Sequence, residues 1–208
     1  MHYSTHVQET NLGPSLDFLA RHYPDIQLNV LHSSDLHPGL DPLHREAADI
    51  LILPSTVLDE HHIEHHRWSD HYVMVVARHL KNPAQNLVEM TQTIRYVAWR
   101  HPGLDRLHSQ LAAAQFRLSH RGELSCLQTL LDLVIKGHCL TVLPSALLPR
   151  PNPGLEYLTL PVPVSRRISV VARPSSLLSN AAAVVIDALK RAPALQAVRP
   201  VAQDCNQR

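Results

Sequence analysis

Apolar residues along this chain come in short runs whose spacing alternates between the helical and the strand period. Leu12, Leu16 and Leu19 share one helical face over residues 11–22, with Pro14 tolerated in the first turn and Pro24 closing the segment. Ile26, Leu28 and Val30 alternate with Gln27 and Asn29, which predicts a half-buried strand. Leu40, Leu43 and Ala47 mark a second short helix, and residues 50–53 (ILIL) a covered strand. With residues 2–7 as an opening strand, this block reads β-α-β-α-β. After a polar stretch, residues 72–77 (YVMVVA) form another buried strand, and HLKNPAQN breaks the pattern.

The same order then recurs. Residues 96–99 predict a strand, 104–114 a helix with Leu104, Leu107 and Leu111 on one side, and 116–118 a strand. Residues 125–144 follow as a compact unit. Leu127, Leu130, Leu131 and Val134 line one helical face, Ser125 is expected as the N-cap and Gly137 as the left-handed C-cap. Residues 139–143 then read as a covered strand stopped by Pro144. Residues 155–160 and 168–172 remain, with a last helix started near Ser179 that turns Ala182, Val185, Ile186 and Leu189 inward. No periodicity survives after Pro193. Two β-α-β-α-β blocks predict an α/β chain of two Rossmann-like lobes with mostly parallel sheets. Strands 72–77 and 168–172 are expected to cross between them, giving lobe I as 1–76 plus 173–208 and lobe II as 77–172. A cleft between such lobes, at the carboxyl ends of parallel strands, is the expected ligand site.

Composition narrows the function. Nineteen basic and 18 acidic residues leave a net charge of +1, without the basic excess of a surface that wraps nucleic acid. No apolar run reaches the ~20 residues of a membrane helix, and the start, MHYSTHVQET, lacks a secretory layout. Cys126, Cys139 and Cys205 are odd in number and scattered, which predicts a reducing, cytoplasmic setting. Sixteen prolines punctuate the apolar segments, and 16 histidines are an unusual number.

Several phrases carry a family likeness. Residues 16–28 (LDFLARHYPDIQL), 48–52 (ADILI), Val134-Ile135-Lys136-Gly137 through Leu143-Pro144, and Arg166-Arg167-Ile168 through Ser179-Asn180-Ala181-Ala182 occur in one order. In that order they resemble the effector-binding domain of LysR-type transcriptional regulators over about residues 4–192. The resemblance implies a type II periplasmic-binding-protein fold and no enzyme activity. It also implies a homodimer or homotetramer, with residues 11–22 in the interface, and DNA reached only through a winged helix-turn-helix absent from this chain. Departures are Cys139, where the family's second glycine would stand, and Trp99-Arg100-His101-Pro102-Gly103 in place of a small polar loop.

On this topology the turns expected to face the cleft carry Thr10 and Asn11, Ser33 and Ser34, Ser55, Arg100 and His101, and Arg121 and Ser125. Helix N-termini and two arginines suit a small organic anion, although Glu9 opposes one near the first helix. No cofactor is expected. The rival is the cluster His61-His62-Ile63-Glu64-His65-His66 with Asp70 and His71, where His62 and His66 would be the metal ligands of a metal-responsive sensor. A solvated polar segment explains the same residues. A solute receptor of the same fold is the other alternative. Catalysis lacks a Gly-x-Ser-x-Gly elbow, a phosphate loop and a Gly-x-Gly-x-x-Gly turn. Cys139 is expected in a core, and Cys126 lies in a first helical turn, where a thiolate is favoured.

Overall fold

A computed structural model describes residues 1–4, 9–33, 38–58, 63–81, 86–148 and 152–191. Gln8, Ser34, His61, His62, Cys205 and the segment after Pro193 lie outside the described residues. In chain order the elements are β1 (His2–Ser4), α1 (Glu9–His22), β2 (Leu31–Ser33), α2 (Asp41–His44), β3 (Ile50–Pro54), β4 (Glu64–Ala77), α3 (Leu87–Thr93) and β5 (Tyr96–Trp99). They continue as α4 (Leu104–Ala113), β6 (His120–Leu124), α5 (Leu127–Ile135), β7 (Thr141–Pro144), β8 (Leu155–Thr159), β9 (Ser165–Ala172) and α6 (Asn180–Arg191). The mixed α/β class is that expected. The chain forms two units, one holding Met1–Asp70 and the described residues from Arg166 on, the other His71–Ser165. Both divisions fall within strands, the first in the 14-residue β4 and the second in β9.

In the first unit β1 pairs in parallel with β2 and β3, and β9 runs antiparallel to β3. The strand period divides the core. Ile50 and Ile52 of β3, with Ile168 and Val170 of β9, pack under α1 and α6 through Leu12, Leu19, Val185, Ile186 and Leu189. Leu51, Leu53 and Val171 point the other way, against Leu43 of α2. Ser15, buried between the helices, donates to the Ala188 carbonyl at 3.0 Å. Ser179 caps α6, its hydroxyl accepting from the Ala182 N–H at 3.1 Å.

In the second unit β7 and β8 flank β4 antiparallel, while β5 and β6 are parallel. Leu140 bridges Tyr96 in parallel just ahead of β7. Met74, Val76, Tyr96, Ala98 and Val142 face Leu104, Leu107 and Leu111 of α4. Val73, Val75, Trp99 and Leu143 face Leu130, Leu131 and Val134 of α5. β4, β5 and β7 thus feed a core on both sides, which is why these runs read as continuously apolar.

Four expectations need correcting. Residues 26–30 keep their alternating burial but do not enter a ladder; the paired strand is β2. Residues 116–118 form no strand, because Gln115 turns the chain at a left-handed φ of 58° and Phe116 plugs the core below α4. The strand that follows is the polar β6. Between residues 81 and 95 the structure has α3, opened by an Asn86–Glu89 capping box. Finally, Cys126 and not Ser125 holds the N-cap position of α5.

The other end of α5 is as expected. The His138 N–H bonds to the Leu133 carbonyl at 3.0 Å and the Gly137 N–H to that of Val134 at 2.8 Å, with Gly137 at φ 79°. A Cβ on Gly137 would lie 2.8 Å from His79 Nε2. Gly137→Ala should therefore lower the unfolding free energy by about 1–3 kcal/mol in urea titration, from strain and crowding together. An unchanged midpoint would show that this turn tolerates a side chain.

Candidate functional site

The carboxyl ends of β5 and β6 lie side by side, Trp99 paired with Leu124. The Arg100 N–H donates to the Leu124 carbonyl at 2.8 Å, and the Trp99 indole N–H to the Ser125 carbonyl at 3.1 Å. His101 turns back under this layer. Its ring stacks on Trp99 with centroids 4.9 Å apart, and its Nδ1 lies 2.8 Å from the Trp99 carbonyl. A carbonyl only accepts, so Nδ1 carries the proton, and in the neutral ring Nε2 accepts from the Tyr72 hydroxyl at 2.8 Å. His101 is therefore buried with both nitrogens engaged.

Arg100, one residue earlier, is exposed. Its carboxylate neighbour is Glu123 at 3.8 Å, and the two side chains are 58% and 40% exposed. Such a pair is worth little, ~1 kcal/mol at most, so a ligand can take its place. Ser125 is exposed beside it, and α5 starts two residues further on. As a thiol, Cys126 makes no capping hydrogen bond. The Thr129 hydroxyl, then the Thr129 and Gln128 N–H groups, favour its thiolate and hold its pKa below the ordinary value. Cys139 is the opposite case, a buried thiol whose pKa burial pushes up.

Arg121 does not join Arg100. It is the second residue of β6, at the amino end of the strand, and lines a cavity with Gln92, Thr93, Ile94, Arg95 and Ser119. Nearby, His108 of α4 meets the Tyr96 hydroxyl at 3.0 Å and faces the His120 ring at 5.6 Å. Burial first, then His120, lowers the pKa of His108.

In the first unit Ser55 follows β3, and its hydroxyl lies 2.5 Å from that of buried Ser169. Ser169 donates to the Glu64 carboxylate, which Arg67 also holds. Since Ser169 gives its proton to Glu64, Ser55 gives its own to Ser169 and presents lone pairs outward. Thr10 and Asn11 lie in the first turn of α1, and Ser33 ends β2. Of the histidine cluster, His65 bonds to the Arg173 carbonyl at 2.9 Å and His66 packs edge-on to Trp68. Among the described residues no group of three or more His, Cys, Asp or Glu is placed to hold a metal. The other residue of the expected pair, His62, is outside the description.

Sequence reasoning passed over Trp99 and Tyr72 as positioning residues. A tryptophan directly before Arg-His was the available signal. It also passed over Glu64 as the acceptor ending the Ser55 chain.

Two α/β units, with an exposed arginine and a helix start at parallel strand ends, define a ligand-binding domain of the periplasmic-binding-protein type. The model of the LysR substrate binding domain matches residues 2–194, and the chain belongs to that family. A cysteine mutant of OxyR from Corynebacterium glutamicum is similar at 19% identity and a TM-score of 0.72, over 92% of this chain and 62% of its own. This chain therefore spans about three fifths of that protein's length. A reduced form of OxyR from N. meningitidis gives 16% identity and a TM-score of 0.72, covering 93% of this chain and 94% of that one. CbnR, a LysR family transcriptional regulator, gives 11% and 0.67, covering 90% and 67%. At these identities the likeness is one of fold. No curated protein sequence matches the chain. Among the described residues, no helix is long and apolar enough to cross a membrane.

Arg67 first, then the Ser169 hydroxyl, holds the Glu64 carboxyl below its ordinary value of 4.5, against the opposing effect of burial. A depressed carboxylate adds stability above its unfolded pKa and loses it as pH falls through the folded one. Glu64→Gln should therefore lower Tm most at neutral pH, and the gap to the parent should close below about pH 4. A gap independent of pH would contradict the ionic role.

Proposed function

We propose that this chain is the effector-sensing domain of a LysR-type regulator and reads a small organic anion at the carboxyl ends of β5 and β6. The observation that carries the reading is exposed Arg100, held by its own backbone against Leu124, beside Ser125 and the open start of α5. A guanidinium fork on the rim, at a helix start whose dipole favours negative charge, supplies what a carboxylate needs. The domain acts by binding, in the cytoplasm. Its effector biases the regulator's conformations by its differential affinity for them, and the change reaches DNA through a helix-turn-helix of the full-length protein. A second copy of the chain pairs along the α1–β2 side. β2 ends its sheet, and Tyr23 and Leu31 leave apolar surface there exposed at 41% and 44%.

Screening aromatic and short-chain carboxylates by thermal shift tests the site. A carboxylate that raises Tm should lose about tenfold or more in affinity on Arg100→Ala, as expected for a charge-assisted bond. A shift that survives Arg100→Ala would move the effector away from these strand ends.

A further inference from the structure

The amino end of the β5–β6 pair holds a second feature, unrelated to the carboxyl-end site. Gln92, Thr93, Ile94, Arg95, Ser119 and Arg121 line a cavity of about 590 Å³, within the size range of small-molecule sites. The Tyr96 N–H donates to the Ser119 carbonyl at 3.0 Å and ties its two walls together. Among the described residues, its only charged lining residues are the two arginines. Both side chains are exposed, and among the described residues neither pairs with a carboxylate. Thr93 is committed to its own helix, donating towards the Glu89 and Met90 carbonyls at 3.2 Å. The donors left to a ligand are therefore the two guanidiniums, the Gln92 amide and the Ser119 hydroxyl. The carbonyl end of α3 opposes an anion, but that helix has only seven residues and Arg95 follows it directly.

We propose that Arg95 and Arg121 form an anion site for a phosphate monoester. Two guanidinium forks carry +2, which a phosphate group of roughly −1.5 to −2 neutralises and a single carboxylate does not. The cavity is larger than the phosphate alone, and Gln92 and Ser119 meet hydroxyl groups on the organic part. This site is independent of the effector reading, since Arg100 takes no part in it.

The test is thermal shift of the full chain with inorganic phosphate, titrated at constant ionic strength and compared with acetate. Phosphate should raise Tm saturably in the parent protein and in Arg106→Gln, which removes an exposed positive charge from α4. The response should weaken about tenfold or more in Arg95→Gln or Arg121→Gln and vanish in the double variant. All these side chains are exposed, so the variants fold. An unchanged response in the double variant, a response without saturation, or an acetate effect as large as that of phosphate would overturn the assignment.

Discussion

The second unit is organised by one buried polar chain, from the Tyr72 hydroxyl through the His101 ring to the Trp99 carbonyl, and from the Trp99 indole to the Ser125 carbonyl. It connects β4, the turn after β5 and the start of α5. Each bond contributes only about 1 kcal/mol net, but leaving any of these buried groups unpaired costs more. The His101 ring stacks on Trp99 beside these bonds. Its main effect is directional. With His101 pinned inward, the preceding residue of the extended strand end has to face outward, and that residue is Arg100. The exposed guanidinium is thus a consequence of the buried imidazole.

Helical periodicity made α1, α4, α5 and α6 legible in the sequence, because each sets a full apolar face into a core. Strands covered on both sides, such as β3 and the second half of β4, were equally plain. β6 was not, since His-Arg-Gly-Glu-Leu at the edge of its sheet has one apolar residue, Leu124, and so no alternation. Residues 116–118 have the apolar content of a strand, but their apolar residues serve the core from a turn. α3 was missed for a related reason. Val88 is 52% exposed and the helix shows no clear stripe, so the Asn86–Glu89 capping box was its one local signature.

The site was legible as a set of turns, and its geometry was not. Whether His101 faces ligand or core depends on Tyr72, 29 residues away. Whether Ser55 donates or accepts depends on Ser169 and Glu64, brought together by β9 and β4. Arg100 and Arg121 were grouped because both flank predicted strands. The actual start of β6 at His120 places one arginine at a carboxyl end and the other at an amino end.

The family fixes what kind of domain this is, while structural neighbours at 11–19% identity share the frame and leave the chemistry of the rim to this chain's own residues. Cys126 reports on that rim, as an exposed thiol of lowered pKa at the start of α5, one residue from Ser125. The direct measurement is its alkylation rate with iodoacetamide, followed by mass spectrometry with and without a carboxylate that stabilises the domain. Bound carboxylate should slow alkylation of Cys126 several-fold and leave buried Cys139 unreactive throughout. An unchanged rate at Cys126 under saturating carboxylate would contradict a site at these strand ends.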